Sequence, residues 1–218
     1  NILAHSIIQI KGNLEVNSDL NTLGLIIDKG SVLKVNQDSG VFNSWYLMLE
    51  GTLDLKGKSQ LLQTENSTID EISSGVLEKD LKGTADKFTY NYWSSPVGKL
   101  SDTTNNNNYT TEDVFTNVSF ISTGYDGVIN PISIADYWIW KFNNNLSDNY
   151  SSWQHVRSSG QISPGEGFTM KGPGTGSINE EQNYIIQGKP NNGDINLTVY
   201  AGNDYLIGNP YPSAIDAI

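Results

Sequence analysis

Few residues in this chain are able to do chemistry, and their spacing decides what they can do. There is no Cys in 218 residues, which removes disulfides, thiolate zinc sites, iron–sulfur ligation and cysteine nucleophiles together. The two histidines, His5 and His155, stand 150 residues apart, so neither a multi-His metal site nor an H-E-x-x-H helix can be assembled from them. Serine catalysis would need one of them beside a nucleophile, and no G-x-S-x-G segment is present. His5, in Ile2-Leu3-Ala4-His5-Ser6-Ile7-Ile8, is expected to point outward from a strand, and His155 to lie on a strand or at the surface. The glycine clusters at 165–167 and 172–176 lack the Lys-Ser/Thr of a phosphate loop and read as turns. Twenty-four acids always supply some pair at a glycosidase's separation, so carboxylate pairing discriminates nothing. Catalysis is not expected.

Binding chemistry remains. Asp126, Asp136 and Asp194 lie near glycine turns and offer the hard oxygen ligands that calcium takes, although no D-x-D-x-D-G loop frames them. The alternative reading of each is a solvated turn residue. Trp138 and Trp140 alternate in Tyr137-Trp138-Ile139-Trp140, so on a strand they share one side while Tyr137 and Ile139 share the other. If Tyr137 and Ile139 fill the core, the indoles form a platform on which sugar rings stack. The opposite packing, adopted here, makes the indoles interior.

Charge narrows the partners. Thirteen Lys and Arg against 24 Asp and Glu give a net charge of −11, which repels phosphate backbones and anionic lipid, so no nucleic-acid partner is expected. No run approaches the roughly 18 apolar residues needed to span a bilayer, so no membrane insertion is expected. With Asn1 in place of Met and no charged-then-apolar leader, the chain is expected to be a piece of a longer, processed one.

The elements that must position these residues are β-strands. The 25 Asn and 21 Gly favour turns over helix interiors. Gly12-Asn13-Leu14-Glu15-Val16 is echoed by Gly30-Ser31-Val32-Leu33-Lys34-Val35 and by Gly51-Thr52-Leu53-Asp54-Leu55, placing Leu14, Leu33 and Leu53 at spacings of 19 and 20. That period predicts a solenoid whose stacked rungs align these leucines in one apolar column. An evenly spaced β-meander is the alternative. The pattern fades over 64–87, and longer aromatic strands follow, separated by Ser95-Pro96, the Asn105 to Asn108 run, Ser163-Pro164-Gly165 and Lys189-Pro190-Asn191-Asn192-Gly193. The expected fold is all-β: a short, parallel β-helix-like solenoid over 1–80, then an antiparallel, jelly-roll-like β-sandwich over 81–218. Helical turns are expected only near Asp113 and over Ser213 to Ile218.

Tyr92-Trp93-Ser94-Ser95-Pro96-Val97, Pro164-Gly165-Glu166-Gly167-Phe168, Gly188-Lys189-Pro190-Asn191-Asn192-Gly193-Asp194 and Ile207-Gly208-Asn209-Pro210-Tyr211-Pro212-Ser213-Ala214-Ile215-Asp216 occur in that order. Together they resemble a module of large secreted and surface proteins of the Bacteroidota exported by type IX secretion, and the G-x-L-x-V copies look like the β-solenoid that precedes it. The resemblance implies an extracellular or outer-surface location, in filaments, adhesins or gliding-related proteins. The implied role is non-catalytic, structural or adhesive, and the alternative is a carbohydrate-binding accessory region of a secreted polysaccharide-degrading enzyme. Implied partners are neighbouring modules of the same chain, identical copies, and surface glycans. Asp102-Thr103-Thr104 resembles the acceptor pattern for O-glycosylation in that group, which makes Thr103 a candidate. No cofactor is implied beyond calcium.

Overall fold

A computed structural model describes residues 2–216. Four coils of a β-solenoid open the chain. The first carries β1 (Ile7–Ile10) and β2 (Asn13–Val16), the second β3 (Leu20–Ile27) and β4 (Val32–Val35). The third carries β5 (Gly40–Leu49) and β6 (Thr52–Leu55), the fourth β7 (Gln60–Gln63), β8 (Thr68–Ile69) and β9 (Val76–Thr84). β1, β3, β5 and then β7 and β8 stack in parallel as one wall, while β2, β4, β6 and β9 form the other.

The predicted leucine column exists, and it is one rung longer. Leu14 pairs with Leu33, Leu33 with Leu53, and Leu53 with Leu77. Leu33, Leu53 and Leu77 are fully buried, whereas Leu14, on the edge strand β2, is 43% exposed. Alternation turns Val35 and Leu55 into the core beside Leu33 and Leu53, because successive strand side chains face opposite ways. Glycine recurs here because the coils approach so closely: a Cβ on Gly75 would stand 2.2 Å from the Gly51 carbonyl oxygen, and one on Gly51 would stand 2.3 Å from that of Ser31. His5 lies in a 3-10 turn, Ile2–His5, and is exposed, so it is not on the strand expected for it.

β9 outlasts the solenoid. Its residues from Leu77 to Thr84 pair antiparallel with β19 (Glu181–Pro190), so one six-stranded sheet, β11-β19-β9-β6-β4-β2, with β11 at Val97–Gly98, runs through both parts of the chain. The expected junction at residue 80 falls inside β9.

The remaining elements are β10 (Tyr90–Trp93), β11 (Val97–Gly98), α1 (Thr111–Val114), β12 (Ser119–Ile121), β13 (Val128–Ile129), β14 (Ile132–Ala135), β15 (Trp140–Lys141), β16 (Asn145–Leu146), β17 (Gln154–His155), β18 (Phe168–Lys171), β19 (Glu181–Pro190) and β20 (Asn203–Asp204). An antiparallel sheet, β10-β18-β15-β17, lies over the six-stranded one. Their inner residues meet in an aromatic core: Trp93 stands 4.8 Å from Tyr184 and 5.5 Å from Phe115 between ring centres. Phe168, Met170 and Ile186 fill the space around them. The helical turn expected at Asp113 is α1, closed by reciprocal bonds between Thr110 and Asp113. No helix forms over 213–216, where Asn209 and Ser213 bond to each other instead, and 217–218 lie outside the described residues. The fold is nearly all β.

Candidate functional site: an aromatic cleft

The outer face of the β10-β18-β15-β17 sheet carries rings. Along β10, Asn91 and Trp93 turn inward, which leaves Tyr90 and Tyr92 outside. Register aligns Tyr92 with Thr169, Thr169 with Trp140, and Trp140 with His155, a row crossing all four strands. Tyr90 pairs with Lys171 in the next row.

The segment before β15 is not the strand expected from its alternating sequence. Asp136–Trp138 is a 3-10 turn, held by the buried Asp136 carboxylate, which accepts from Arg157 Nη1 at 2.9 Å and Ser158 Oγ at 3.2 Å. The turn breaks the two-residue period, so Tyr137, Trp138 and Trp140 all reach the outer face and Ile139 alone is fully buried. The interior placement adopted for the two indoles is therefore corrected. Trp138 Nε1 donates to the Tyr125 carbonyl at 2.6 Å and Trp140 Nε1 to the Tyr137 carbonyl at 2.7 Å. Both indoles are fastened by their edges, while the His155 ring covers one face of Trp140 and the Lys171 ammonium stands over one face of Trp138.

A second 3-10 turn, Tyr150–Ser152, brings Tyr150 and Trp153 to the opposite wall. Tyr90, Tyr92, Tyr137, Trp138, Trp140, Tyr150, Trp153 and Thr169 thus enclose a cleft of about 270 Å³. At its rim Tyr150 is 88% and Tyr92 62% exposed. Burial, together with the neighbouring Tyr150, Tyr92 and Tyr137, pushes the Tyr90 phenol above its ordinary range. Burial and Arg157 push the His155 imidazole down, which favours the neutral form of the ring lying flat on Trp140 at 4.1 Å. A wall of uncharged rings with fixed orientations stacks against flat or apolar faces of a ligand.

A larger groove, about 700 Å³, runs where the last coil meets the second sheet, past Leu81, Trp93, Ile207 and Tyr211, and shares Tyr92 with the cleft. It lacks the concentration of ring faces.

The calcium candidates are not brought together. Asp126 pairs with Lys87 at 2.8 Å and Asp136 with Arg157 at 2.9 Å, so lysine and arginine stand where an ion was expected, and Asp194 lies in an exposed loop. Among the described residues no group of three or more His, Cys, Asp or Glu stands close enough to hold a metal ion. Thr103 sits in an exposed loop, where its amide donates to Ser101 Oγ at 3.2 Å. Sequence reading missed Tyr90, Tyr92, Tyr150 and Trp153 as members of the site, because strand pairing across as many as 81 residues and a distant 3-10 turn unite them.

A family model described as a domain of unknown function, DUF8693, matches residues 4–218, and the chain belongs to that family. No curated protein and no solved structure matches it.

Proposed function

We propose that this member of the DUF8693 family is a non-catalytic, adhesive and structural module of a large bacterial cell-surface or secreted protein, of the kind exported by type IX secretion, and that it holds saccharides in the aromatic cleft. The observation that carries this is the convergence of seven aromatic side chains, from β10, β15 and two 3-10 turns, around one solvent-open space. Pyranose rings present apolar C–H faces that stack on indole and phenol rings, while their hydroxyls stay hydrated or bond to the tyrosine rim. The lining contains no carboxylate, so an acid pair for glycoside hydrolysis has no place there. The same cleft serves the second reading, an accessory binding region beside a hydrolase domain.

Glycan-array binding tests the proposal. The wild-type chain is expected to retain a subset of glycans, and Trp138→Ala with Trp140→Ala to lose them by about tenfold or more, since aromatic stacking contributes on the order of 1 kcal/mol or more per ring. An unchanged profile in the folded double variant, or no glycan retained by the wild type, refutes the saccharide reading.

A further inference from the structure

The saccharide reading leaves the charge of the ligand open, and one residue beside the cleft bears on it. Lys171 follows Thr169 by two positions on β18, so both side chains leave the sheet on the cleft's face. Its Nζ stands 3.5 Å from the centre of the Trp138 ring and 4.6 Å from that of Tyr90. The negative faces of the two rings hold an ammonium there without supplying a counter-ion.

The other cations around this sheet are matched. Lys141 pairs with Glu166 at 2.9 Å, Arg157 with Asp136 at 2.9 Å, and Lys87 with Asp126 at 2.8 Å. Among the described residues no carboxylate lies within ion-pair distance of Lys171. Asp126 and Asp86 act on it only from further off, and one oxygen of Asp86 is engaged by the amides of Phe88 and Thr89. Three ion pairs are thus closed by contact, and the Lys171 ammonium beside the ring faces is balanced only at a distance, by Asp126 and by Asp86, whose Oδ2 takes no hydrogen bond. Such a group, with three donors, is suited to an acceptor that the protein does not provide.

We propose that the cleft takes an acidic sugar residue, its ring stacked on the aromatic wall and its carboxylate on the Lys171 ammonium; this rests on the saccharide reading above. A cationic ligand would be repelled by Lys171, and a neutral one would leave the ammonium to water. The net charge of −11 disfavours a continuous polyanion, so the fitting partner is an otherwise neutral glycan bearing isolated uronate residues.

Titration calorimetry of the full chain against neutral pentose and hexose oligosaccharides, each beside a counterpart carrying one uronate, tests this. The wild type is expected to favour a uronate-bearing member by about tenfold over its neutral counterpart, the gain of one charge-assisted hydrogen bond, with the preference shrinking as salt is added. Lys171→Met is expected to erase the preference and keep the neutral affinity, and Lys171→Arg to preserve it, with thermal melting showing that both variants fold. Equal affinities in the wild type, a preference that survives in Lys171→Met, or loss of both ligands in that variant would each overturn the acidic assignment while leaving the saccharide reading in place. Failure of the folded wild type to bind either class would overturn both.

Discussion

At the scale of single residues, the chain spends its few buried charges on fixing loops. Glu166 is the clearest case. Its carboxylate accepts from the Ser163 amide at 2.8 Å, Lys141 at 2.9 Å, Asn143 at 3.0 Å and Tyr205 at 2.7 Å. Burial alone would push the Glu166 carboxyl up, but these four donors together hold it below the ordinary glutamate range. A carboxyl whose folded-state pKa is depressed contributes stability that is present above its unfolded value and is lost as pH falls through the folded one. Glu166→Gln removes that charge and leaves Lys141 without its partner, so it is expected to destabilise the protein by about 2–4 kcal/mol at pH 7. Urea unfolding checks this, and the gap between the two proteins is expected to narrow as pH drops into the acid range where the wild-type carboxyl protonates. A gap that does not change with pH would mean that the ionised form of Glu166 is not what holds the loop.

At the scale of elements, burial along the solenoid rises from its first coil inward. Leu53 sits in mid-column with a rung on either side, whereas Leu14 heads the column and is already half in water. Leu53→Ala is therefore expected to cost about 2–5 kcal/mol and Leu14→Ala about 1 kcal/mol or less, as measured by denaturant midpoints at constant m. Equal costs would contradict the column. This column was legible in the sequence because coils that stack in register repeat the same inward residue at the same spacing. Its fourth rung was not, for two physical reasons. The last coil is longer, so Leu77 follows Leu53 by 24 residues, and the inward position matching Val16, Val35 and Leu55 is held by Lys79. The Lys79 ammonium donates to the Gly57 carbonyl at 2.9 Å, which satisfies a polar group that the pattern would have excluded. The cleft was legible only through Trp138 and Trp140. A period-two reading left the side of the indoles open and set Tyr137 with Ile139, but Asp136 and Arg157 hold a 3-10 turn that brings Tyr137 round beside the indoles, and a distant arginine leaves no mark on local alternation.

At the scale of the whole molecule, β9 determines how the parts respond to one another. One edge of β9 continues the parallel wall from β6, and the other pairs with β19 over eight residues, so the sheet that closes the solenoid is also the floor beneath the aromatic core. Neither part can lose this strand without exposing apolar surface in the other: Leu77 lies under Leu53, and Tyr184, opposite Leu81, packs on Trp93. Sharing one strand at the centre of a six-stranded sheet makes separate melting costly, since opening either part breaks a full ladder of backbone hydrogen bonds and uncovers its side chains. The chain is expected to unfold in one calorimetric transition. Leu53→Ala in the solenoid and Phe168→Ala beneath the cleft are expected to lower that same transition, and far-UV circular dichroism is expected to follow the loss of tryptophan fluorescence with a common midpoint. Two transitions, with Leu53→Ala moving one and Phe168→Ala the other, would show that the solenoid and the aromatic part stand independently despite their shared strand. The cleft would then have to hold its rings in place without support from the solenoid.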